Sequence, residues 1–131
     1  MAVKIRRLVT IIVGTALCAV CYGQDKLPEK FRNGTFETTL DGKTAIIERF
    51  DSLQTEHYKG TDHYVWFKIK WLSEHEYRLT PNDKTFDRYP NTPKNMEIVV
   101  KILKVTSNSY TQETISNVST KKFLSEVIKI K

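Results

Sequence analysis

The sequence predicts an all-β domain, a small antiparallel meander, and three observations carry that prediction. Most of the chain beyond residue 33 alternates with a period of two. Asp41-Gly42 stands between two such runs, the strongest short signal for a hairpin. The only helix candidate, Leu27 to Phe31, is too short to organise a domain.

The strands follow in order. Gly34 to Leu40 is rich in threonine and carries Phe36, a strand composition. Lys43 to Phe50 returns after the Asp41-Gly42 turn, with Ile46 and Ile47 at its centre. Asp51-Ser52 reads as a turn or as a bulge in one longer strand, and Leu53 to Lys59 continues until Gly60-Thr61-Asp62 breaks the run. In His63 to Trp71, Val65, Phe67, Ile69 and Trp71 share one face, with Lys68 and Lys70 on the other. Such alternation describes a sheet with one buried and one wet face. Ser73 to Glu76 turns the chain, and Tyr77 to Thr80 leads back.

Pro81 to Pro93 holds three of the four prolines and reads as the one long loop, a kind of segment that often carries function. Met96 to Val105 resumes as a strand, Thr106 to Ser109 turns, and Tyr110 to Ile115 follows. Lys121 to Lys131 closes the domain, with Leu124, Ile128 and Ile130 expected on one apolar face. Seven or eight short antiparallel strands with one apolar face curl into a lipocalin-like barrel, with a two-layer β-sandwich as the alternative.

Ahead of this domain, residues 1–23 have the three parts of a secretory signal peptide: Lys4, Arg6 and Arg7, an apolar run from Leu8 to Val20, and small residues up to Gly23. The run is shorter than the roughly 20 residues a spanning helix needs. Cleavage after Gly23 places Cys21 and Gly23 at the small-residue positions. The competing site lies before Cys21, whose thiol would then be lipidated, but Val20 is branched where a small residue is wanted. Residues 24–131 then form a single β domain of about 108 residues, one domain's worth. Cleavage after Gly23 removes both cysteines and with them thiolate chemistry. It also removes three basic residues, which lowers the formal charge from +6 to about +3. The remaining charges are interspersed, which argues against a nucleic-acid stripe.

Asn33-Gly34-Thr35-Phe36, Glu48 to Glu56, Phe67 to Leu72, Glu76 to Leu79 and Val100-Lys101-Ile102 together resemble short exported or lipid-anchored β-rich proteins of Gram-negative envelopes. Some such chains carry the label DNA topoisomerase IV, which nothing in these residues supports. The resemblance implies an envelope location and no catalytic residue.

Candidate chemistry is sparse. His57 and His63 flank Gly60, and Glu56 could join them as a third zinc ligand, but the spacing matches no established motif. Glu74 and Glu76 bracket His75 at a hairpin tip, where water screens all three. No Gly-x-Ser-x-Gly elbow occurs, and with five glycines the chain has no phosphate-cradling loop. Asn33-Gly34-Thr35 and Asn117-Val118-Ser119 match glycosylation sequons, and Asp51-Ser52-Leu53 resembles a bacterial O-glycosylation site. The aromatic residues are more suggestive. Tyr64 and Trp66 fall on the face of Lys68, and with Tyr89 they form the candidate binding residues. The competing reading is aromatic pairing that only stabilises the sheet.

These observations predict an exported, non-enzymatic binding module for an apolar or amphipathic ligand, periplasmic or extracellular, or else lipid-anchored at the outer membrane through Cys21. The alternative is an accessory protein that meets a protein partner through the Tyr64-Trp66 face or the 81–93 loop. No cofactor, metal or nucleic acid is expected, membrane contact would come only through the lipid, and the chain is expected to be a monomer.

Overall fold

The computed structural model describes residues 24–131, so the expected signal peptide at residues 1–23 and the expected lipidation at Cys21 lie outside the described residues. Eight antiparallel strands run in sequence order around a closed barrel. They are β1 (Gly34–Leu40), β2 (Lys43–Phe50), β3 (Leu53–Tyr58), β4 (Tyr64–Ser73), β5 (Glu76–Pro81), β6 (Ile98–Val105), β7 (Ser109–Ser116) and β8 (Lys122–Lys129). Of the two expected architectures, this is the barrel. β1 pairs with β8 at Phe36 to Thr38, which closes the ring.

Turn chemistry sets the register. Asp41 and Gly42 both take positive φ, 52° and 78°, as the tight hairpin between β1 and β2 requires. Leu40 therefore faces Lys43, and Gly34 faces Arg49. Asp51, at φ 58°, makes a true turn rather than a bulge, so Phe50 pairs with Leu53. Its amide is held by the Asn33 side chain at 2.9 Å.

Alternation along each strand sends Phe36, Ile47, Phe67, Ile69, Tyr77, Leu79, Val100, Ile102, Tyr110 and Val127 into the core. Trp71 packs against them, with its ring 4.9 Å from that of Tyr77. The last strand departs from expectation. Val127 is fully buried, whereas Ile128 and Ile130 are exposed and belong to the outer side with Leu124. The inward positions of β8 carry Phe123 and Ser125 besides Val127, so apolar residues stand on both sides of the strand, two on each.

One end of the barrel is closed by the chain's own approach. A 3-10 turn at Glu29–Phe31 follows Leu27, and both Leu27 and Phe31 are buried. Short as it is, this segment plugs the barrel, which the sequence reading did not foresee. It is anchored across the end: Leu27 N donates to Glu74 O at 2.8 Å, and Asp25 accepts from Val105 N at 2.8 Å.

The segment after β5 is the second departure. It is not a bare loop: Asp83–Arg88 forms a helix, α1, capped by Asn82, whose side chain accepts from Lys84 N. β5 and β6 pair at only four positions, Glu76 to Leu79 against Lys101 to Ile98, while β7 and β8 pair at seven. Where that seam is short, α1 lies against β4. Thr85 Oγ1 accepts from Trp66 N at 2.7 Å and donates to Trp66 O at 2.6 Å, an oxygen that also accepts from Asn82 N at 3.0 Å.

Candidate functional site

The inward faces enclose a cavity of about 270 Å³, open at the end opposite the plug. Its walls are apolar where Ile47, Val65, Phe67, Leu79, Ile98 and Val100 face inward, and its rim carries Leu40, Lys43, Tyr58, His63 and Phe123. A second apolar cavity of about 240 Å³ lies beneath the 81–96 segment, and Val65 and Phe67 line both spaces.

The floor is polar. Arg49, at the end of β2, is 3 % exposed. Its Nε donates to Gln54 Oε1 at 2.6 Å, one Nη donates to Phe31 O at 2.9 Å, and the other donates to Tyr77 Oη at 2.7 Å and to Tyr110 Oη. The guanidinium also lies 4.7 Å from the Phe36 ring centre and 5.0 Å from that of Tyr77. Burial of a cation opposes its charge, and the surrounding Tyr110 and Tyr77 oxygens and Glu56 outweigh that effect, so its pKa is raised. No carboxylate of the described residues lies within ion-pair distance of it. Hydrogen bonds and ring faces carry the cation instead.

From this centre the network climbs the wall. Tyr77 Oη donates to Gln112 Oε1 at 3.0 Å, and Gln112 Nε2 donates to Ser125 Oγ at 3.3 Å. Burial pushes the Tyr77 phenol well above its ordinary range, against the pull of Arg49, so it is a neutral donor. Gln54 Nε2 donates to Glu56 Oε2 at 2.8 Å, so one amide bridges the buried cation to a carboxylate higher in the lumen. Burial raises the Glu56 pKa, against the lowering effects of Gln54 and Arg49. Chemically, the lumen offers an apolar wall, one oriented carboxylate, the unpartnered Thr38 hydroxyl and a floor of paired dipoles, and among the described residues no nucleophile in it is hydrogen-bonded to a base.

Compared with protein-family models, curated proteins and solved structures, the chain matches none. Its function is therefore read from this geometry.

The residues singled out in the sequence are not gathered in one place. Tyr64 and Trp66 lie on the outer side of β4, half-buried, with their rings 6.1 Å apart and 22° from parallel. Lys68 is exposed on the same side, opposite Leu53. Tyr89 is elsewhere, in the second cavity beside Pro81, Thr85 and Met96. Alternation along β3 also separates the candidate zinc ligands. His57 stacks on Tyr64 at 4.4 Å on the outer side, while Glu56 points inward. His75 is tied to Asp25 O at 2.9 Å, and Glu74 pairs with Lys26 at 3.3 Å. The sequon residue Asn117 holds Glu97 N and Asn95 O through its amide.

Arg49, Gln54, Tyr77, Tyr110 and Gln112 were missed as a group. One signal could have found part of it. The segment Leu53-Gln54-Thr55-Glu56-His57-Tyr58 has no apolar face, so any closed sheet that contains it must turn polar groups inward.

Proposed function

We propose that this is an exported, non-enzymatic binding module that takes one small, mostly apolar ligand into the barrel lumen. The observation that supports this reading is the open cavity of about 270 Å³ whose floor is a completed hydrogen-bond network. A core that served stability alone would fill such a space, since voids in protein interiors are costly. The volume is near the lower limit for small-molecule sites, so the ligand is compact. The export reading rests on the leader pattern in residues 1–23.

The test is NMR titration with small apolar alcohols, in wild type and in Ala45→Phe. Ala45 lines the mouth, and a phenyl group there fills the entrance. Shifts at Ile47, Val100 and Gln112 that vanish in Ala45→Phe support lumen binding. Shifts that persist in the variant, or that map to the outer surface, overturn it.

A second reading, contact with a protein partner, draws on the outer face. Phe50 is 75 % exposed, it pairs with Leu53, and Leu53 faces Lys68, beside the row that holds Trp66. Phe50→Ser would abolish pull-down of such a partner without altering alcohol binding. Loss of alcohol binding with the partner retained would exclude this face.

A further inference from the structure

Glu56 is the one carboxylate among the described residues that line the lumen. Gln54 fixes one of its oxygens, and among the described residues the other accepts no hydrogen bond and no cation stands within ion-pair distance. The nearest candidate for neutralising it is spoken for. Arg49 spends its Nε on Gln54 and both Nη atoms on Phe31 O and the two phenols. At the mouth, Lys43 Nζ sits over the Tyr58 ring at 5.5 Å. Glu56 is half-buried in a mostly apolar, open lumen, so its free acceptor face is available to a donor on a ligand. Its orientation is also set in advance, because Gln54 is itself clamped by the buried guanidinium. Prior orientation of this kind cuts the ordering cost of binding.

We infer that the lumen selects a small ligand bearing a protonated amine on a compact apolar body, with the ammonium donating to the free oxygen of Glu56 and the body lying against Val65, Phe67, Leu79 and Ile98. This rests on the lumen reading. An anionic ligand would meet Glu56 with its own charge and find the guanidinium already committed. A neutral apolar ligand would fit the walls and leave the carboxylate uncompleted. A charge-assisted hydrogen bond in such a space favours the ammonium over both.

The experiment is calorimetric titration of protein expressed from the full chain with three isosteric probes: cyclohexylmethylammonium, cyclohexylmethanol and cyclohexanecarboxylate. The ammonium is expected to bind about tenfold or more tighter than the alcohol, and the carboxylate weakest. In Glu56→Gln the amine and alcohol should converge while the alcohol is unchanged. The same convergence is expected in wild type as pH falls and Glu56 takes up its proton, which tests the idea without a variant. Equal binding of amine and alcohol in wild type, or an amine preference that survives both Glu56→Gln and acidification, would overturn the ammonium assignment and leave the lumen reading standing. Failure of all three probes would overturn both.

Discussion

Thr85 and Trp66 hold each other through a single hydroxyl. Thr85 Oγ1 accepts from Trp66 N at 2.7 Å and donates to Trp66 O at 2.6 Å. The side chain thus supplies the partner of the Trp66 N–H, and shares Trp66 O with the Asn82 N–H at 3.0 Å just past the end of β5. Thr85→Val keeps the shape and removes both bonds, leaving the Trp66 N–H unpaired while Trp66 O keeps its bond from Asn82 N at 3.0 Å. The expected cost is about 1–3 kcal/mol in urea unfolding, with the Trp66 amide exchanging faster. Thr85→Ser should recover most of it.

Arg49 is expected to be the most sensitive polar position. Arg49→Met strands Phe31 O, Gln54 and two phenols inside the barrel, at a cost of about 3–5 kcal/mol. Arg49→Lys should recover little, because one ammonium cannot reproduce the fork that reaches four partners. Chemical denaturation of both variants checks this. A lysine variant close to wild type would mean that charge, not geometry, is what the site needs.

Glu56→Gln should stabilise the protein near neutral pH. Burial raises the carboxyl's pKa in the folded state, so the folded protein holds that proton more tightly than the unfolded chain does. The stability this contributes is present below the unfolded value and is lost as pH rises through the folded value. The amide keeps the acceptor for Gln54 without the charge. Thermal melts across pH should show the variant ahead near neutrality, with the gap closing at pH about 4. A variant less stable than wild type near neutrality would show that the carboxylate is already compensated.

Gly34→Ala tests the start of β1. Gly34 has φ 126°, and a Cβ there would lie 2.2 Å from Lys131 O. That oxygen accepts from Thr35 N at 3.0 Å, and Ile130 N donates to Thr35 O at 2.8 Å. The methyl group must break this clasp. A loss of about 2–4 kcal/mol is expected, with the increased exchange concentrated at Thr35 and Ile130.

The strands were legible because turn residues and alternation point the same way. Gly34–Leu40 and Lys43–Phe50 have the bounds that Asp41-Gly42 and the threonine-rich pattern imply. Three features were hidden for separate reasons. Prolines 81, 90 and 93 mask the helix at Asp83–Arg88, whose trace is Asn82 as a cap followed by an acidic first turn. β8 misleads because both of its sides carry two apolar residues, Leu124 and Ile128 outside and Phe123 and Val127 inside, and Ile130 beyond the strand extends the outer row. The lumen network has no period at all. Arg49, Gln54, Tyr77 and Gln112 come from four strands, and only the register of the closed sheet brings them together. The aromatic pair Tyr64 and Trp66 was placed on the correct side of its strand, but Tyr89 depends on how the 81–96 segment folds back, which no local pattern encodes.

The junction of β1 with β8 bears on the order in which the molecule assembles. Every other junction joins consecutive strands, most of them across short turns, and such hairpins form on a scale of microseconds. Phe36 and Lys129 are about 90 residues apart, so their meeting carries the largest loop-closure entropy of any strand pair. Until it happens, β1 and β8 are open edges able to recruit a second chain. The step that seals the ring is therefore also the step that removes both open edges.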